Sequence, residues 1–63
     1  MNTDMILRVR VFNSKGEVIP SMCRMYSYDL LNDKEFNEAF STASHYVYTV
    51  CENNPDYSCR IEK

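Results

Sequence analysis

Apolar residues occupy every odd position from Met5 to Val11 in the run M-I-L-R-V-R-V-F. A period of two over this length predicts a strand with one face buried. The opposite face carries Ile6, Arg8, Arg10 and Phe12, so arginines stand among large apolar groups. Solvated strand faces are normally Thr, Ser, Lys and Glu, and the mixture points to a surface that meets something. Asn13-Ser14-Lys15-Gly16 then reads as a hairpin loop, with Gly16 in the left-handed conformation closing a type I turn and bulge. A second strand is expected over 18–28. Pro20 cannot donate to a ladder, which puts this strand at the sheet edge or a bulge at the proline. The phase of the strand is open there. The alternative that buries no charge turns Ile19, Cys23 and Met25 inward and Met22, Arg24, Tyr26 and Tyr28 outward, and it is the expected one.

The period then changes. Asn32 is a good N-cap, Glu35 completes a capping box, and Leu31 and Phe36 flank it as a hydrophobic staple. Phe36, Ala39, Phe40, Ala43, Val47, Val50 and Cys51 recur at spacings of three and four, one face of an amphipathic helix. Asn37, Glu38, Ser41, His45, Tyr48 and Glu52 form the other face. Asn53-Asn54-Pro55 ends the helix through an αL-tolerant residue and a proline stop. A short third strand over 56–63 turns Tyr57, Cys59 and Ile61 inward and Ser58, Arg60 and Glu62 outward. The order β-β-α-β over 1–63 predicts a single α+β domain. Its sheet is antiparallel and three-stranded, in order 2-1-3, with one helix on one face. Nothing remains in the chain to cover the other.

Composition narrows the function. A chain of 63 residues is small, and domains of this size bury only about 60% of their unfolded surface. A net charge of −2 and a pI near 5.2 argue against duplex nucleic-acid binding, which needs many phosphate contacts. The first residues carry no signal-peptide pattern, and no apolar run approaches a membrane span. With an odd number of cysteines (Cys23, Cys51 and Cys59), the expectation is a cytoplasmic protein with free thiols, although Cys51 and Cys59 can approach each other across the core.

Catalytic and metal chemistry find little support. Cys23, His45, Cys51 and Cys59 lack the close pairs that build zinc knuckles, and buried cysteine acting as a small hydrophobe explains the thiols. His45 stands on the solvated helix face near Glu38 and Tyr48, with no nucleophile and no room for a cleft. No enzyme activity, cofactor or metal is expected. The chemistry-bearing surface is the open sheet face and its edge, where Arg8, Arg10, Arg24, Tyr26, Tyr28 and Arg60 are the expected partner contacts. The bland reading is a solvated face whose arginines pair with Glu17 and Glu62.

The opening M-I-L-R-V-R-V-F, the S-M-C-R-M-Y of the second strand and the closing Y-S-C-R-I-E resemble the phage antitoxin family known as the discriminator of mRNA degradation. The resemblance spans most of the chain in order and pattern and implies a one-to-one inhibitor that neutralises a host endoribonuclease toxin by direct binding. It carries over no site residues, since no contact motif matches position by position. Small phage inhibitors of host RNA polymerase share the outline. Two alternatives stand beside this reading: a single-stranded nucleic-acid module stacking bases on the sheet aromatics, and a homodimer joined through the same face. If the partner offers a lysine- and arginine-rich groove, Glu38 and Glu52 on the helix become the contacts.

Overall fold

The computed structural model of the protein describes residues 3–63. Met1 and Asn2, included in the expected domain, lie outside the described residues. Strand β1 spans Asp4–Phe12, β2 Arg24–Asp29 and β3 Ser58–Glu62, and helix α1 spans Asp33–Asn53. The sheet is antiparallel in the order β2-β1-β3, so the α+β ββαβ architecture is as expected. Leu7, Val9 and Val11 of β1 are fully buried beneath the helix with Ala39, Ala43 and Val50. Burying such a side chain stabilises by roughly 1.5–3 kcal/mol. The small alanines let α1 lie close to the sheet. Phe40, placed by its spacing on the inner face, is 46% exposed and stacks on Phe36 at 6.0 Å.

The hairpin loop forms as its residues dictate. Gly16 has a φ of 81°, and its N–H donates to the Asn13 carbonyl at 3.0 Å. The Asn13 side chain accepts from the N–H groups of Lys15 and Glu17, which ties down the turn. After one bridge between Phe12 and Val18, the chain leaves the ladder in a 3-10 turn over Pro20–Met22. The second strand is therefore shorter than expected, and its phase is reversed. Continuing the Phe12–Val18 pairing would put Val9 opposite Ser21, but Val9 pairs with Arg24. A shift of three residues, being odd, exchanges the two faces. Tyr26 and Tyr28 lie opposite Leu7 and Met5 and face the helix, while Met25 lies opposite Arg8 on the open face. Tyr28 is 5% exposed and Met25 is 67% exposed. The charge-free core that favoured the other phase is kept anyway, because Arg24 swings out of it to the molecular edge.

Both helix ends depart in detail from the pattern. The Asn32 side chain accepts from the Glu35 N–H at 3.2 Å, as an N-cap should. The return bond of a capping box is absent: Glu35 takes the Asn32 side-chain amide at 3.0 Å and the Asp29 N–H at 3.3 Å instead. Leu31 is 79% exposed and makes no staple; Phe36 packs edge-on against Tyr28 at 5.1 Å. At the C-terminus Asn54 has φ −136° and ψ 79°, not the left-handed conformation. The following proline holds Asn54 out of the helical region, and its N–H and side-chain amide both donate to the Val50 carbonyl.

Candidate functional site

The open face of the sheet is built from alternate residues of all the strands. Strand β1 supplies Asp4, Ile6, Arg8, Arg10 and Phe12; β3 adds Arg60 opposite Arg10 and Glu62 opposite Arg8. Strand β2 adds Met25, Ser27 and Asp29, and the bridge to Phe12 brings in Val18. Ile6, Val18 and Met25 are exposed, at 40%, 49% and 67%. No element of the described chain covers them.

Charge on this face is segregated along β1. Asp4 and Asp29 stand opposite each other at one end. Hydrogen bonds from the Leu31 N–H and the Thr3 side chain hold the Asp29 carboxyl below its ordinary value of 3.8, so it stays ionised. The other end carries Arg8, Arg10 and Arg60, with Glu62 as the one carboxylate beside them among the described residues. Glu62 lies 3.8 Å from Arg10, an exposed pair worth little. The Arg60 guanidinium lies 6.0 Å from the Phe12 ring centroid. Arg8 has no ionic partner among the described residues. It borders a groove of about 350 Å³ lined also by Val9, Arg10, Val18, Pro20, Cys23, Arg24 and Met25. Arginine beside an apolar groove can form bidentate bonds to a carboxylate while its neighbours bury apolar area.

Of the expected contacts, Arg8, Arg10 and Arg60 thus share one surface. Arg24 starts from the helix side, opposite Val9, yet borders the same groove as Arg8 and Arg10. Tyr26 and Tyr28 do not join them, because the odd shift at the 3-10 turn sends them to the helix side. Arg24 donates to the carbonyls of Ser21 and Cys23 at 3.0 and 2.8 Å and lies 5.1 Å from the Tyr46 ring centroid. It clamps the turn that reverses the strand. The Tyr46 hydroxyl donates to the Met22 carbonyl from the same side. Met25 and Val18 take the vacated places on the open face. Val18 was legible in the hairpin, since a loop of Asn13–Gly16 with a bulge pairs Phe12 with it; Met25 was not.

The arginines do not pair with Glu17, whose carboxylate accepts from the Asn13 side chain. Among the described residues no group of three or more His, Cys, Asp and Glu is placed to hold a metal ion, and no helix is long and apolar enough to cross a membrane. His45 is exposed on α1, as are Glu38 and Tyr48. Cys51 and Cys59 do approach, with their sulfurs 3.9 Å apart as free thiols. Compared with known proteins, the chain matches no family, no curated protein and no solved structure.

Proposed function

We propose that this protein is a non-enzymatic inhibitor that docks the open face of its sheet on another protein and occludes it. The observation that carries this reading is that Ile6, Val18 and Met25 lie exposed along one sheet face, with Met25 opposite an arginine, Arg8, that has no ionic partner among the described residues. Leaving that much apolar strand surface bare lowers solubility with no structural return, so contact with a partner accounts for it. The finer reading rests on the resemblance to phage antitoxins: the partner is a host endoribonuclease toxin, met in the host cytoplasm. Host RNA polymerase is the alternative target of the same mode. The acidic end at Asp4 and Asp29 and the basic end at Arg8, Arg10 and Arg60 give the surface a polarity that fixes the orientation of docking. Base stacking has less to work with, because Tyr26 and Tyr28 turn inward and leave Phe12 as the aromatic residue on this face.

The test is affinity capture from nuclease-treated bacterial lysate, wild type against an Ile6→Asp/Met25→Asp variant whose fold is checked by circular dichroism. Retention of a stoichiometric endoribonuclease by the wild type alone, with loss of its RNA cleavage in the complex, supports the reading. Recovery of nucleic acid only, or of the same proteins by both forms, overturns it.

A further inference from the structure

Strand β2 is an edge strand, and its backbone is only partly satisfied. The Leu30 N–H donates to the Thr3 carbonyl at 2.8 Å, one step beyond the Asp4–Asp29 pair. Alternation along an antiparallel ladder then turns the backbone groups of Arg24, Tyr26 and Tyr28 toward β1, and those of Met25, Ser27 and Asp29 outward. At Asp29 the chain supplies its own partners: the N–H donates to Glu35 at 3.3 Å, and the carbonyl accepts from the Asn32 N–H at 3.0 Å. At Met25 and Ser27 the outward N–H and C=O groups have no partner among the described residues. Beyond them lies a groove of about 430 Å³ between β2 and α1, with Glu35, Glu38, Ala39 and Thr42 on its helix wall. Glu38 makes no ion pair there among the described residues.

We infer that the β2 edge takes an extended segment of another polypeptide as a fourth strand, one alternating basic and apolar side chains. Main-chain bonds to Met25 and Ser27 give the pairing. Residues of the added strand that face the helix meet Glu38, which selects lysine or arginine; those facing the other way extend the apolar patch of Ile6 and Met25. A second copy of this chain fits poorly. Two-fold pairing about Ser27 would set Met25 against Asp29, whose backbone is already occupied. Pairing about Tyr26 would set Met25 against Ser27 and use the free groups, but either register brings both sets of Glu35 and Glu38 to one side of the joined sheet. Like charges so placed oppose the pairing. The inference stands whether or not the open face docks a partner, since it rests on the edge.

The experiment is an amide-resolved NMR titration with a short capped peptide alternating valine and lysine, and with a control alternating valine and glutamate. The lysine peptide is expected to shift the Met25 and Ser27 amides and to weaken with salt. Glu38→Lys is expected to reduce its affinity about tenfold, as charge reversal at a polar contact does, and N-methylation of alternate peptide residues should abolish it. Ser27→Pro removes an outward N–H and no bond to β1, and should act alike; if its fixed φ unfolds the strand, the methylated peptide carries the same test. The inference is overturned if the lysine peptide leaves the Met25 and Ser27 amides unmoved, or if the glutamate peptide binds equally well. Concentration-dependent shifts at those amides without peptide, the mark of a second copy, overturn it too.

Discussion

Glu35 shows how much one side chain settles in a domain this small. Its carboxylate accepts from the Asp29 N–H and from the Asn32 side chain, joining the end of β2 to the start of α1. It does so at the positive end of the helix, where Asp33 adds a second acid. Asn32→Ala breaks both the N-cap bond and the bond to Glu35 and is expected to cost about 1 kcal/mol, read as a lower urea midpoint. Cys59 links stability to pH. Burial, and then the Cys51 thiol beside it, pushes its pKa from 9.0 up to about 11. A thiol that holds its proton longer in the native state contributes fully below the unfolded pKa, and the contribution is lost as pH rises through the native one. The urea midpoint should therefore fall more steeply between pH 9 and 11 in the wild type than in Cys59→Ala. Equal slopes would show that the thiol is not shielded.

At the scale of elements, the 3-10 turn over Pro20–Met22 decides what β2 presents. Proline supplies a preset φ and no ladder donor, so the strand breaks where it stands. The reversed phase separates sharply in mutational cost. Met25→Lys replaces an exposed side chain and should change stability by less than about 0.5 kcal/mol, whereas Tyr28→Ala empties a core position and should cost about 3 kcal/mol. Chemical denaturation of the two variants checks the register; a reversed ranking would restore the phase that uninterrupted alternation predicts. The signals for β1 and α1 were legible because each is a long unbroken period, such as Leu7, Val9 and Val11 or Ala39, Ala43 and Val50; β3 is short, but nothing interrupts its alternation of Tyr57, Cys59 and Ile61. The phase of β2 was not legible, because the 3-10 turn over Pro20–Met22 loops out an odd number of residues before Arg24, and the strand's alignment follows from how the turn packs under Tyr46.

As a whole the molecule is a thin two-layer body. Its radius of gyration is 12.7 Å, against about 11 Å for a compact chain of this length. With helix on one face only, the second face of the sheet buries little and holds only exposed contacts such as Arg10–Glu62 and Arg60–Phe12. Ile6→Asp/Met25→Asp is accordingly expected to shift stability by no more than about 1 kcal/mol while removing partner capture. Thermal melts beside the capture assay separate the two effects; joint loss of fold and binding would mean that the face is structural.

Sequence alone determined the element order, the antiparallel sheet with β1 at its centre, the helix start at Asn32 and the arginine-bearing face of β1 and β3. These follow from local periodicity and capping, which depend on neighbours a few residues away. Only the tertiary structure decided that Tyr26 and Tyr28 enter the core, that Arg24 clamps the turn, that Met25 joins the open face, and that Met25 and Ser27 have backbone groups at the edge with no partner among the described residues. Strand pairing joins residues distant in the chain, and an odd number of residues looped out between pairs reverses every side chain beyond them.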